Sequence, residues 1–311
     1  MVSMRAPQVE RDESLPARIR IHEVGARDGL QNEKSVVPTE VKAEFIRRLA
    51  TSGLQTIETT SFVNPQWVPQ LADAADLLAM LGDEGRGPDR PVLVPNERGL
   101  DRALEAGVGA VAIFGSATET FARKNLNRTV AESIEMFRPV VTRSLDAGLT
   151  VRAYVSMCFG DPWEGPVPIG QVADVCVALM DLGAHELSLG DTIGVGTPGH
   201  VRALLAELDL RGVARAATAV HFHDTYGQAL ANTLTALREG VTIVDSSAGG
   251  LGGCPYAESA TGNLATEDLV WALEGAGVET GIDLESLVAT STWMAAQLGR
   301  PSPSRVVTAL R

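Results

Sequence analysis

Residues 217–245 read ATAVHFHDTYGQALANTLTALREGVTIVD and contain one complete unit of a repeating pattern. An apolar, β-prone run leads into His221-Phe222-His223-Asp224, a helical stretch follows, and Gly240 precedes the next β-prone run. Side chains alternate faces along a strand, so His221 and His223 point the same way. The segment therefore predicts a strand with a polar end, a helix, a glycine turn and a second strand.

The same unit recurs along most of the chain, with helical patterns such as the apolar stripe Val41, Phe45 and Leu49 between the strands. The predicted strands are Ile19–Val24, Thr56–Ser61, Val92–Pro95, Ala110–Phe114, Val151–Ser156, Glu186–Leu189, Ala217–Phe222 and Thr242–Asp245. Eight such units favour a (β/α)₈ TIM barrel over an open doubly wound sheet. No glycine-rich dinucleotide fingerprint follows the first strand, which disfavours a Rossmann fold.

The helical segments have recognisable ends. Thr197 followed by Pro198 predicts the start of one helix, because threonine caps helices and proline fits the first turn. Glycine tolerates the left-handed backbone that ends many helices. The glycines predicted to end helices are Gly53, Gly107, Gly148, Gly183 and Gly240.

The ends of the chain differ from its middle. Residues 1–17 are polar and include Glu10, Asp12 and Glu13, so we predict a disordered N-terminal tail. Residues 18–311 are predicted to form a single catalytic domain. From about residue 281 this domain carries a C-terminal helical extension.

Composition limits the classes of partner. The chain has 311 residues, 45% of them hydrophobic, and a net charge of −13, which disfavours nucleic acid and anionic membranes as partners. The chain has no apolar run of about 18 residues, so no membrane span is predicted. The three cysteines, Cys158, Cys176 and Cys254, form no C-x-x-C pair, so a disulfide framework is not expected. We expect a cytoplasmic protein.

The polar residues at the strand ends predict where the chemistry lies, because barrel active sites form at the carboxyl ends of the strands. Asp28, His221, His223 and Asn263 form a mixed nitrogen and oxygen ligand set that suits Mg²⁺ or Mn²⁺. The alternative is that the histidines only hydrogen-bond inside a polar barrel mouth. The other polar residues at strand ends are Glu58, Ser61, Tyr154, Ser188, Asp191 and Thr192.

Two further features predict catalysis. Arg27 places a cation beside Asp28 and could hold an oxyanion, although a surface ion pair is the alternative. The glycine-rich loop Gly249–Tyr256 contains Cys254. Such loops can act as lids, and a thiol there could donate a proton. The alternative is a tight turn with an incidental cysteine.

At this point the chain resembles the hydroxymethylglutaryl-CoA lyases, a family of the metal-dependent lyase and Claisen-condensing barrel superfamily. The matching blocks are Glu23–Lys34, Ile57–Val63, Ser188–Gly194, Val220–Asn232 and Val244–Leu273. Together they lie within roughly residues 19–300, and the glycine loop separates lyases from condensing synthases.

The resemblance implies a role for each candidate residue. The cation ligands would be Asp28, His221, His223 and Asn263. The residues that perform or shape catalytic steps would be Arg27, Asp28, Glu58, Asp191, His221 and Cys254. The substrate contacts would be Arg27, Gln31, Ser61, Tyr154, Ser188 and Thr192. The base is left open between His221 and Asp28.

The implied reaction is the cleavage of 3-hydroxy-3-methylglutaryl-CoA to acetyl-CoA and acetoacetate, as in leucine and ketone-body catabolism. Mg²⁺ or Mn²⁺ would be the cofactor, the acyl-CoA the partner, and a homodimer or higher homo-oligomer the assembly. One alternative is a related lyase for another 3-hydroxy-acyl-CoA. Others are a condensing synthase or carboxyltransferase on the same barrel and a metal-stabilised binding protein. An amidohydrolase would carry its H-x-H motif on the first strand.

Overall fold

The computed structural model describes residues 5–82, 89–253 and 262–311. The strands are β1 Arg20–Glu23, β2 Thr56–Ile57, β3 Thr60–Ser61, β4 Val92–Leu93, β5 Ala110–Ser116, β6 Thr150–Ser156, β7 Glu186–Asp191, β8 Thr218–Phe222 and β9 Ile243–Ser246. The helices are α1 Thr39–Thr51, α2 Ala74–Leu81, α3 Glu97–Glu105, α4 Glu119–Leu126, α5 Val130–Asp146, α6 Ile169–Asp181, α7 Pro198–Leu210, α8 Ala229–Arg238, α9 Thr266–Gly275, α10 Leu284–Gln297 and α11 Arg305–Leu310.

The sheet closes on itself through one predicted strand that changes partners midway. Its first half, β2, pairs with β1, and its second half, β3, pairs with β4. Between them the Glu58 amide donates to the Glu23 carbonyl at 2.8 Å, and the Thr59 amide donates to the Pro91 carbonyl at 3.0 Å. All strand pairs are parallel and run in barrel order. The predicted (β/α)₈ TIM barrel is confirmed.

The strand after α6 is longer than the sequence predicts. β7 continues two residues beyond Leu189, because Gly190 and Asp191 pair with His221 and Phe222 of β8. Asp191 therefore ends a strand instead of beginning a loop. α7 begins as predicted, with Thr197 at the N-cap position and Pro198 in the first turn, but the Thr197 side chain makes no cap bond.

The barrel strands separate two environments, one between the sheet and the helices and one inside the barrel. The large apolar core lies between the strands and the surrounding helices, and it includes Phe45 and Leu49 of the predicted α1 stripe. Inside the barrel the apolar cluster is small and centres on Leu93, Ala112 and Tyr154. Much of the remaining interior is charged, because the strand side chains that point toward the barrel axis include buried acids and arginines. This polar axis leads to the site described below.

The predicted helix-ending glycines all have positive φ angles. Gly53, at the end of α1, has a φ of 101°, and a Cβ atom there would lie 2.3 Å from the Gly281 carbonyl oxygen. Gly148 has a φ of 76°, and a Cβ there would meet no atom within 4 Å. Gly53 is therefore needed for backbone conformation and for close packing, whereas Gly148 is needed for conformation alone.

The predicted disordered tail is wrong for residues 10–15. The Glu10 amide donates to the Gly275 carbonyl at 2.8 Å, and Arg238 pairs with Asp12 at 2.9 Å. Leu15 is buried in the apolar core. The segment is polar because only one of its faces packs on the barrel. Among the described helices, none is long and apolar enough to cross a membrane.

Candidate active site

A cavity of about 780 Å³ opens at the carboxyl ends of the strands. Predicted site residues that line it are Arg27, Asp28, Gln31, Tyr154, Thr192, His221 and His223. A cavity of about 940 Å³ lies at the opposite end, where Arg20 and Arg152 are both paired with Glu186. The candidate chemistry therefore gathers at the end that barrel enzymes use.

Arg27 and Asp28 lie in a π-helical turn, Gly25–Gly29, directly after β1. Such turns are rare and often occur at functional sites. A Cβ atom at Gly25 would lie 2.5 Å from the Glu23 carboxylate, and one at Gly29 would lie 2.9 Å from the Leu251 side chain. The two glycines therefore allow the turn to pack tightly and to hold both side chains at the cavity.

Asp28, His221 and His223 present ligand atoms within 4.8 Å of one another. The Nε2 atoms of the two histidines face each other at 3.4 Å. Burial opposes ionisation of Asp28, but Arg27 and the two imidazoles outweigh it and lower the pKa of Asp28 to about 2. Burial, reinforced by His221, lowers the pKa of His223 to about 4. The cluster is therefore a carboxylate beside an imidazole that resists protonation.

Asn263 joins this cluster because its backbone pairs with the end of β8. The Leu264 amide donates to the Phe222 carbonyl at 3.0 Å, and an antiparallel bridge joins Asn263 to His223. The Asn263 amide donates to Asp28 Oδ2 at 2.8 Å. Its buried Oδ1 finds no partner among the described residues.

An unpartnered buried carbonyl oxygen costs free energy unless something binds it. A divalent cation would satisfy the Asn263 oxygen together with the Asp28 carboxylate. The mixed oxygen and imidazole donor set also fits such an ion. The residues present therefore fit a divalent cation.

Arg27 is fixed by two carboxylates. Its Nε donates to Glu58, and its Nη1 donates to Asp28 Oδ1 at 2.8 Å. Glu58 also accepts a bond from the Tyr154 hydroxyl and faces His22 Nε2 at 3.4 Å. Burial raises the pKa of Glu58, but Arg27 and His22 outweigh it and lower this pKa to about 2. Glu58 is therefore a buried anion that orients Arg27.

Sequence reasoning missed Asp245 at the end of β9. Its Oδ2 lies 3.2 Å from His221 Nδ1, and the Ser188 hydroxyl donates to the same oxygen at 2.8 Å. Arg152 pairs with the other oxygen. Burial lowers the pKa of His221, but Asp245 outweighs it, so the pKa is raised overall. The sequence feature that could have pointed to Asp245 is a charged residue at the end of a predicted strand.

A family model described as HMGL-like matches residues 18–294. The chain belongs to the HMGL-like family. Members of this family that resemble it include the mitochondrial hydroxymethylglutaryl-CoA lyase of Rattus norvegicus. The two are 50% identical over 309 residues, which cover 99% of this chain and 94% of the rat protein. The HMGL-like family assignment makes the protein a carbon–carbon lyase.

Solved structures agree with the HMGL-like assignment. The Bacillus subtilis HMG-CoA lyase is 46% identical, with a TM-score of 0.91, and the match covers 94% of this chain and 98% of that one. An HMG-CoA lyase from Acinetobacter baumannii, in complex with coenzyme A and 3-methylmalate, is 34% identical. Its TM-score is 0.90, and the match covers 97% of each chain.

Some predicted substrate contacts of this HMGL-like protein do not line the cavity. Ser188 is fully buried on Asp245, and Ser61 is fully buried and donates to the Leu93 carbonyl at 3.2 Å. Ser188 lies three residues before the end of β7, whereas Ser61 ends β3 but turns its hydroxyl to the neighbouring strand. Gln31, Tyr154 and Thr192, by contrast, line the cavity, and their contact with substrate stays a prediction.

Asp191 binds its own loop. Its two carboxylate oxygens accept the amides of Val195 and Gly196 at 3.0 and 2.9 Å. Burial raises the pKa of Asp191 to about 6, although these backbone amides oppose the rise. The geometry favours a role in shaping the loop beside Thr192.

Cys254, the predicted proton donor, and Tyr256 lie outside the described residues. The described base of the glycine loop packs under the cation cluster. Asn263 Nδ2 donates to the Leu251 carbonyl at 3.0 Å, and a Cβ atom at Gly252 would lie 2.5 Å from that Nδ2. Glycine at position 252 is therefore required for Asn263 to reach Asp28.

Proposed function

We propose that this lyase cleaves 3-hydroxy-3-methylglutaryl-CoA to acetyl-CoA and acetoacetate, with Mg²⁺ or Mn²⁺ held by Asp28, His221, His223 and Asn263. The convergence of these four residues beside Arg27, with Asp28, His221 and His223 lining one cavity and Asn263 bonded to Asp28, carries the proposal. When bound, the cation lowers the pKa of the substrate hydroxyl and neutralises negative charge. The similar proteins named as hydroxymethylglutaryl-CoA lyases support this choice of substrate.

The chain's own residues then account for the charge and proton movements. His221 or Asp28 accepts the proton of the C3 hydroxyl, and the C2–C3 bond breaks. Its electron pair forms the enolate of acetyl-CoA. Arg27 lies at the cavity wall with its guanidinium fixed by Glu58 and Asp28, so its charge is preorganised for the enolate oxygen. In this proposal Cys254 returns a proton to C2.

The coenzyme A half of the bound substrate would extend out of the cavity through its mouth. Arg98 and Lys124 line the cavity and are exposed, as is Trp67. Cations attract phosphates, and an exposed indole can stack on a purine. Lys124→Glu should raise KM for the acyl-CoA and leave kcat nearly unchanged. Equal KM values for this variant and the unaltered protein would contradict the assignment.

The decisive experiment is a cleavage assay on the purified protein with product identification by mass spectrometry. We expect acetyl-CoA and acetoacetate in equal amounts, loss of turnover with EDTA, and recovery with Mg²⁺ or Mn²⁺. Parallel assays with other 3-hydroxy-acyl-CoA thioesters and with acetyl-CoA plus a keto acid test the related lyase and the synthase. Faster turnover of another thioester, or turnover that survives EDTA, would overturn the proposal.

We also propose a cytoplasmic, homo-oligomeric enzyme of leucine or ketone-body catabolism. The cysteine pattern supports a reducing location, because three cysteines without a C-x-x-C pair do not indicate a disulfide framework. Cell fractionation tests the location, and light scattering on the purified protein tests the oligomeric state.

A further inference from the structure

A buried carboxylate outside the predicted site contacts one of the candidate cation ligands. Asp245 is 1% exposed, and its Oδ2 lies 3.2 Å from Nδ1 of His221. Arg152 pairs with Asp245 at its other oxygen. A carboxylate in an ion pair only accepts hydrogen bonds, so the hydrogen in the contact with His221 belongs to the ring. His221 therefore carries its proton on Nδ1.

The position of that proton decides what the rest of the ring can do. With Nδ1 protonated, the Nε2 atom of neutral His221 holds a lone pair. This Nε2 faces the Nε2 of His223 at 3.4 Å and belongs to the cluster that includes Asp28. We propose that Asp245 is a positioning residue that fixes the tautomer and orientation of His221, so that Nε2 is presented to the divalent cation. This inference rests on the cation site of the proposed function, and of the two candidate bases there it favours Asp28, because a cation-bound Nε2 has no lone pair left to accept a proton.

Asp245 is itself prevented from turning away from His221. The Ser188 hydroxyl donates to its Oδ2 at 2.8 Å, and Arg152 binds its Oδ1. Arg152 is in turn paired with Glu186. Asp245, Ser188, Arg152 and Glu186 all lie on barrel strands, so the support is rigid. Carboxylate partners of this kind orient metal-binding histidines and strengthen their metal binding.

A purely structural role for Asp245 would be to neutralise buried Arg152. Cation affinity, measured without substrate, separates that role from positioning. We expect Asp245→Asn to weaken Mn²⁺ binding roughly 10- to 100-fold, as measured by electron paramagnetic resonance of free Mn²⁺. Urea unfolding of the same samples reports stability independently.

Asp161 provides a matched control. It is 3% exposed, and its carboxylate accepts bonds from Thr118 and from the amides of Trp163 and Glu164. Asp161→Asn should lower stability and leave Mn²⁺ affinity unchanged.

A second variant keeps the test sound if Asp245→Asn fails to fold, since it leaves Arg152 with less compensation. Asp245→Asn combined with Arg152→Gln removes both charges, and it should still weaken Mn²⁺ binding. If neither folds, Ser188→Ala decides, because loss of that donor frees Asp245 and should weaken binding several-fold. Wild-type affinity in the deciding variant overturns the proposal. Because no substrate is present, a failed lyase assay does not affect the result.

Discussion

Arg27 is the residue whose charge the site controls most closely. The residue is 6% exposed, and its guanidinium lies between Glu58 and Asp28 and packs 5.6 Å from the centre of the Tyr154 ring. A buried cation with two anionic partners stays charged and keeps one orientation. Its long, rigid donor group can therefore meet an enolate without reorganising.

Arg27→Gln is expected to lower kcat at least ~10²–10³-fold, because it removes a preorganised donor to the developing oxyanion. Mn²⁺ should still bind, since the glutamine leaves the four candidate ligands in place. Steady-state kinetics and Mn²⁺ titration on the same sample measure both quantities. Arg123→Gln, at an exposed position paired with Glu119, is the control and should keep full activity. Near-normal turnover of Arg27→Gln would exclude the enolate role.

Cys254→Ser tests the proposed proton donor. Serine is a much weaker acid than cysteine, so turnover should fall while Mn²⁺ stoichiometry stays the same. Cys176→Ser is the control. That thiol is buried in α6, so its replacement should affect stability more than kcat. If Cys254→Ser turns over at the unaltered rate, the cysteine takes no part in proton transfer.

At the residue scale, the sequence predicted the side chains that end strands and project into the cavity. His221, His223 and Asp28 were predictable because alternation and strand ends place them there. Ser188 was assigned to substrate and instead binds Asp245. Inward side chains near the carboxyl end of a strand reach the cavity, and those further back lie on the barrel axis. Which side chain reaches the cavity depends on the stagger between neighbouring strands, and a single sequence does not show that stagger.

At the element scale, the end of α1 packs closely against the segment before α10. Gly53→Ala should lower the free energy of unfolding by about 2–4 kcal/mol, because it combines a positive φ with a contact to the Gly281 carbonyl. Gly148→Ala should cost about 1 kcal/mol, because only the backbone conformation is strained there. Urea unfolding compares the two, and equal losses would show that this packing relaxes.

Elements were predictable where their patterns are long. The eight strand positions and the α1 stripe follow from periodicity and glycine ends. The break between β2 and β3 was not predictable, because it arises where Glu58 and Thr59 exchange one neighbouring strand for another. The N-terminal segment was also missed, because its backbone bonds from Glu10 and Asp12 could be made by any polar sequence and its ion pair joins Asp12 to the distant Arg238.

At the scale of the whole molecule, buried acids of two kinds set the pH dependence of stability. Glu23 and Glu267 hold the backbone at Ala248 and Gly249, and burial raises their pKa values to about 7 and about 8 from 4.5. Between about pH 4.5 and 8, these two acids therefore bind more protons in the folded state than in the unfolded state. Glu58 and Asp28, whose pKa values are lowered to about 2, stabilise the fold above their ordinary pKa and lose this effect as pH falls.

Above about pH 6.5, where His223 is neutral in both states, the unfolding free energy should consequently fall as pH rises to about 8, by up to about 1.4 kcal/mol per pH unit for each raised carboxyl. Urea unfolding in EDTA measures this slope. Glu267→Gln should reduce it, because an amide stays neutral throughout. Glu135→Gln, an exposed carboxylate paired with Arg138, should leave it unchanged. An identical slope in Glu267→Gln would show that this acid is ionised in the folded protein.

The charged axis of the barrel also limits how the sequence can change over time. Glu186 lies between Arg20 and Arg152, and Arg152 lies between Glu186 and Asp245. A single replacement leaves a neighbouring charge buried without its counterpart, which is far more costly than replacing a whole pair. Descendants of this protein that alter the axis should therefore carry coordinated substitutions on adjacent strands. The charged side chains inside the barrel would change in pairs. The apolar side chains between the strands and the helices could change one at a time.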